Sequence, residues 1–193
     1  MYPRSPTGAC VRGCAMSPEA ARIAVLTVSD RAARGDYADR GGPAAEDWLR
    51  STITSPLDVT RQIVADGRET VADAMRALAD GGADLVLVTG GTGPAPRDRT
   101  PEALADVIDF DLPGFGEEMR RASLAEVPTA ILSRQSAGVR GETLFITLPG
   151  KPAAIATCLN AVFAAVPYCL DLIGARRIDT DPARCVAFRP KSG

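Results

Sequence analysis

The sequence predicts an α/β protein: a three-layer, mostly parallel, doubly wound sheet with helices on both faces. Three observations carry that expectation. Short apolar runs with β-branched residues, at 23–28 and 85–88, read as strands buried on both sides, as parallel strands are. Val71, Ala74, Met75 and Leu78 recur at helical spacing between two such runs. Strand and helix then alternate along the chain, which requires crossover connections.

Residues 1–20 are rich in Pro, Gly and Ser and lack periodicity, so they read as a flexible tail before a single domain at 21–193. The first strand is 23–28. Gly42-Pro43 opens a helix, proline suiting a first turn, with Ala45, Trp48 and Leu49 on one side. A second, more polar strand at 59–64 belongs nearer an edge and ends at Asp66-Gly67. The periodic helix that follows turns Asp73, Arg76 and Asp80 outward and stops at Gly81-Gly82. The third strand, 85–88, runs into Thr89-Gly90-Gly91-Thr92-Gly93. Thr100-Pro101-Glu102 begins another helix with a capping threonine, a proline and an acid in its first turn. Pro113-Gly114-Phe115-Gly116 precedes a helical piece at 117–123. Residues 129–148 read as two strands around a glycine-containing turn, and a long final helix carries Ile155, Leu159, Val162, Phe163 and Val166.

Composition narrows the function. With 46 % hydrophobic and 24 % charged residues in 193, the chain is an ordinary globular protein, neither disordered nor fibrous. A net charge of −2 is no electrostatic match for a nucleic-acid backbone. The absence of histidine removes Ser–His triads, histidine bases and the commonest zinc ligand sets. Five cysteines (Cys10, Cys14, Cys158, Cys169, Cys185) form no disulfide framework, which points to a reducing, cytoplasmic setting. Cys10 and Cys14 could be half a metal site, but no second pair matches them. No secretory signal is legible. The longest apolar stretch, 153–173, is broken by Asn160, Pro167 and Asp171, so it reads as a buried helix and not a membrane span.

Ligands of open α/β sheets bind beyond the carboxyl ends of the strands. Four such ends carry unusual residues: Ser29-Asp30-Arg31, Asp66, the glycine loop with Arg97-Asp98-Arg99 behind it, and Pro149-Gly150-Lys151-Pro152. Glycines let backbone N–H groups close on an oxyanion, although such a loop is a tight turn equally often. It matches neither the dinucleotide nor the P-loop fingerprint. Asp66 and Asp98 follow neighbouring strands, and a carboxylate pair beside a phosphate suits Mg²⁺ and phosphoryl or nucleotidyl transfer. Asp66 as a turn residue and Asp98 as a helix cap are equally good readings of the spacing. Arg97, Arg99, Ser133 and Arg134 read as well as surface residues.

Taken together and in order, Val28-Ser29-Asp30-Arg31, Thr89 to Pro94, Arg97-Asp98, Thr100-Pro101-Glu102-Ala103, Pro113 to Glu117 and Leu148 to Pro152 resemble the molybdenum-cofactor biosynthesis family. Thr129 to Gln135, Val166-Pro167-Tyr168-Cys169 and Phe188-Arg189-Pro190-Lys191 are similar to its molybdopterin adenylyltransferase branch. The resemblance spans residues 23–191. It implies adenylylation of molybdopterin, the substrate, by Mg²⁺ and ATP, the co-substrate, with release of pyrophosphate. It implies a homotrimer, with the pathway's molybdate-inserting protein as a candidate partner and neither nucleic acid nor membrane. The family's functional aspartates fall on Asp66 and Asp98, which would hold Mg²⁺ directly or through water. Its phosphate loop falls on Gly90, Gly91, Thr92 and Gly93, and its other pocket residues on Ser29, Asp30, Ser133, Pro149, Gly150 and Lys151. Lys151 departs from the glutamine expected there, adding a cation near the phosphates. A molybdopterin-binding scaffold without turnover competes, against which both aspartates argue. A nicotinamide oxidoreductase fails on its missing fingerprint.

Overall fold

A computed structural model describes residues 19–190. Most of the expected tail, with Cys10 and Cys14, lies outside the described residues. The centre of the protein is a six-stranded sheet in the order β2-β1-β3-β6-β5-β4. β1 (Ala21–Val28), β2 (Leu57–Val64), β3 (Leu85–Thr89) and β6 (Thr143–Leu148) run parallel, in a register that pairs Ala21 with Leu57, Ile23 with Leu85 and Leu85 with Leu144. β5 (Ala137–Arg140) and β4 (Phe110–Asp111) add an antiparallel edge.

Every residue of β3 and β6 is buried, which is why these runs are apolar without alternation. β2 is the other edge and is largely exposed, matching its more polar sequence. Alternate side chains of the central strands divide between two cores. Ile23, Val25, Leu85, Leu87, Leu144 and Ile146 meet α2 (Gly41–Thr52), α5 (Pro113–Leu124), α6 (Pro152–Val162) and α7 (Val166–Ile173) on one face. Ala24, Leu26, Val86, Val88 and Phe145 meet α3 (Arg68–Asp80) and α4 (Thr100–Ala105) on the other. The expected three-layer, mostly parallel architecture is what forms.

Several local expectations are corrected. Residues 129–132 are not a strand but part of a 3₁₀ turn, Pro128–Leu132, because the place beside β5 is taken by β4. The two strands around the glycine turn begin only at Ala137, with Gly141 at φ +53° between them. The final helix is two helices, parted by a 3₁₀ turn at Phe163–Ala165; Pro167 has no N–H to continue the first. That apolar stretch is long enough to cross a membrane, yet Ile155, Cys158, Leu159, Phe163, Val166 and Leu170 are fully buried against the sheet. α5 starts at Pro113, four residues early, since proline and glycine suit a first turn. Thr100 caps nothing: it is buried, and its hydroxyl has a different partner. A short helix, α1 (Asp30–Ala33), follows β1 directly; Ser29 Oγ accepts its Ala32 N–H at 3.3 Å.

Candidate active site

Connections leave β1 towards β2 and β3 towards β6, so the carboxyl ends of β1 and β3 part and a crevice opens between them. A cavity of about 400 Å³ lies there, lined by Ser29, Arg31, Tyr37, Asp39, Arg40, Gly41, Gly90, Gly150 and Lys151 among others.

Of the glycine loop, Gly90 lines this cavity, while Gly91, Thr92 and Gly93 lie outside it. Gly90 and Gly91 have φ values of +102° and +62°. A Cβ on Gly90 would collide with the Val28 carbonyl oxygen, and one on Gly91 with Thr100 Oγ1. Only glycine fits either position. The Gly90 N–H donates to the Leu148 carbonyl at 3.1 Å, the Thr100 N–H to the Gly91 carbonyl at 3.1 Å, and the Thr100 hydroxyl to the Gly90 carbonyl at 2.8 Å. The N–H groups of Gly91, Thr92 and Gly93 donate no hydrogen bond among the described residues, leaving them available to an oxyanion.

The acids gather on the rim, although β2 and β3, the strands that Asp66 and Asp98 follow, are not the neighbours the sequence suggested: β1 lies between them. The Asp30 N–H donates to Asp66 Oδ2 at 3.1 Å and the Asp66 N–H to Asp30 Oδ1 at 3.0 Å, a reciprocal clasp joining the ends of β1 and β2. Arg97 pairs with Asp30 and stands 3.9 Å from Asp66. Asp98 Oδ2 accepts the Ala95 N–H at 3.1 Å, so its carboxylate closes a loop turn and does not cap α4. Burial, and secondarily the Asp98 charge, push the Asp66 carboxyl above the usual aspartate range. Two carboxylates that repel one another fit a hard cation between them. Among the described residues no cluster of three or more acids or cysteines could enclose a metal. Two carboxylates are what Mg²⁺ asks of a protein when it takes its other ligands from water and substrate oxygens.

Not every expected residue joins one pocket. Ser133 lines a second cavity of about 190 Å³ with Gln135, Pro149, Ala153 and Thr157. Lys151 borders both cavities. Asp66 and Asp98 stand outside both, beyond the glycine loop. Sequence reasoning missed Asp39, whose Oδ1 accepts the Gly41 and Gly42 N–H groups at 2.9 and 3.0 Å while Oδ2 accepts the Thr27 hydroxyl at 2.9 Å. An aspartate just ahead of Gly41-Gly42-Pro43 was a legible capping signal. Also missed was the Tyr37 ring, with the Arg31 and Arg40 guanidinium carbons 5.4 and 5.9 Å from its centre.

The chain and its fold are similar to those of known proteins. Residues 24–168 match the family described as "probable molybdopterin binding domain". A molybdopterin adenylyltransferase of Helicobacter pylori is 51 % identical over 170 residues, covering 88 % of this chain and 97 % of that protein. One from Escherichia coli is 44 % identical over 184 residues, covering 89 % and 94 %. The solved Mog protein of Mycobacterium ulcerans, a molybdopterin biosynthesis protein, superposes with a TM-score of 0.74 at 38 % identity over 80 % of this chain and 99 % of that one. A family match across most of the domain, with identities of this size over nearly whole chains, places the chain in the molybdenum-cofactor biosynthesis family of molybdopterin-binding domains.

Proposed function

We propose that this protein is a molybdopterin adenylyltransferase, joining AMP from ATP to the terminal phosphate of molybdopterin with release of pyrophosphate. The observation that carries the reading is the open glycine loop beside the Asp66–Asp98 pair. Identity to adenylyltransferases over nearly their whole length supports it.

The unpaired N–H groups of Gly91, Thr92 and Gly93 bind and orient phosphate oxygens, and the Lys151 ammonium adds positive charge at the wall between the two cavities. Ser29 and Gly150 shape the larger cavity, and Ser133 and Pro149 the smaller. Asp66 and Asp98 would hold Mg²⁺, directly or through water; when bound, it offsets the charge of the triphosphate. Asp30 fixes Asp66 through their clasp. The pterin's terminal phosphate oxygen forms a bond to the α-phosphorus in line as the bond to pyrophosphate breaks. Its nucleophile is already an anion, so no general base is required, and a chain without histidine loses nothing. The same reading includes a cytoplasmic homotrimer that passes its product to a molybdate-inserting protein. Among the described residues Cys158, Cys169 and Cys185 are free thiols, which supports that compartment.

The test is purified protein with molybdopterin, ATP and Mg²⁺, following pyrophosphate and adenylylated pterin by mass. Asp98→Asn is expected to lower turnover by about 100-fold or more while pterin binding persists, as loss of a group that acts on the transition state would. Tight pterin binding with no product from the parent protein would instead support a scaffold.

A further inference from the structure

Arg134 lies between the 3₁₀ turn and β5, and its neighbours Ser133 and Gln135 line the smaller cavity. Alternation along an extended chain sends the intervening side chain the other way. There the guanidinium meets the loop that carries Gly93 and Asp98. Nε donates to the Gly93 carbonyl at 3.1 Å and Nη2 to the Asp98 carbonyl at 2.6 Å. Nη1 donates to Glu102 Oε1, in α4, at 2.6 Å, and the Arg134 N–H to the Thr92 carbonyl at 2.8 Å. Arg97 ties the loop to Asp30 by an exposed ion pair, but the bonds within the loop hold it to nothing else. The Ala95 N–H reaches Asp98 Oδ2 at 3.1 Å and the Asp98 N–H reaches the Ala95 carbonyl at 2.9 Å, which only closes the turn on itself.

We propose that Arg134 is a positioning residue that holds Asp98 in register with the anion-binding loop by gripping residues 92, 93 and 98 together against α4. The role depends on the functional reading above, which gives Asp98 and the loop their tasks. Arginine is needed because its planar fork presents donors in three fixed directions, whereas a lysine ammonium is a point charge on a flexible stem. The Glu102 carboxyl is held below the usual range chiefly by its hydrogen bond from Arg134, so this anchor stays ionised. The Arg134 side chain is 37 % exposed, and removing it takes nothing from either core.

The test compares the parent protein with Arg134→Ala and Arg134→Lys. Backbone hydrogen exchange over residues 92–98, read at the hydrogen-bonded Ala95 and Asp98 amides, is expected to quicken in both variants, with melting temperatures close to the parent. Nucleotide affinity is measured by calorimetry with Mg²⁺ and again with the metal chelated. Affinity in the presence of Mg²⁺ is expected to fall about tenfold or more in both variants, the effect of losing charge-assisted hydrogen bonds, and by a smaller factor with the metal chelated, where only the loosened loop N–H groups are felt. Unchanged exchange over 92–98 would overturn the proposal, as would full recovery by lysine. A parent protein that binds no nucleotide would sink the adenylyltransferase reading instead, and the exchange measurement would still decide whether Arg134 positions the loop.

Discussion

Asp66 shows how a single side chain can trade stability for function. Its carboxyl is raised above the usual aspartate range, first by burial and then by Asp98. The folded chain therefore holds that proton more tightly than the unfolded chain does. The contribution of Asp66 to stability is present below the unfolded aspartate pKa and is lost as pH rises through the raised folded value. Asp66→Asn keeps an acceptor for the Asp30 N–H and removes the charge. It should therefore melt above the parent at neutral pH, with the gain fading in acid, while Mg²⁺ no longer raises the melting point. Scanning calorimetry against pH checks this, and a variant that melts lower at pH 7 would count against it. The need for glycine at positions 90 and 91 was legible in the sequence, because few residue types can take those conformations at the end of a buried strand. Arg134 was not: its bonds reach partners 36 and 41 residues away, and no local pattern announces them.

At the level of elements, α2 depends on a residue outside its own span. Asp39 accepts the first two N–H groups of the helix and the Thr27 hydroxyl from β1, tying the helix start to the strand it covers. Asp39→Ala should lower stability by about 1–2 kcal/mol, the usual worth of an N-terminal cap, measured by denaturant unfolding. A change under a few tenths would mean that water replaces the cap at no loss. Strands β1, β2 and β3 and helices α2 and α3 were legible because burial writes itself as apolar runs and helical periodicity. The two-residue strand β4 was not, since Phe110 and Asp111 are both exposed and only their pairing with Gly138 and Val139 makes them a strand. Thr129 to Leu132 misled for the opposite reason. Their strand-like composition is real, but Ile131 and Leu132 are 67 % and 53 % exposed in a turn with no strand to pair with.

For the molecule as a whole, large apolar side chains stand exposed at Phe110, Ile131, Leu172, Val186 and Phe188. The proposed trimer would cover part of that surface. Light scattering in solution should then give three times the 20.2 kDa of one chain; a monomer at micromolar concentration would count against it. The two ends of the design differ in how freely they could change. Gly90 lies directly over the Val28 carbonyl and beside Gly150, where the sheet itself leaves room for a hydrogen and nothing more. Arg31, Tyr37 and Arg40 face the same cavity from α1 and the connection to α2, and all three are exposed. Surface connections of that kind tolerate change better than strand ends. Substitutions that reshape this cavity without disturbing the fold therefore belong at those three side chains and not at the cradle.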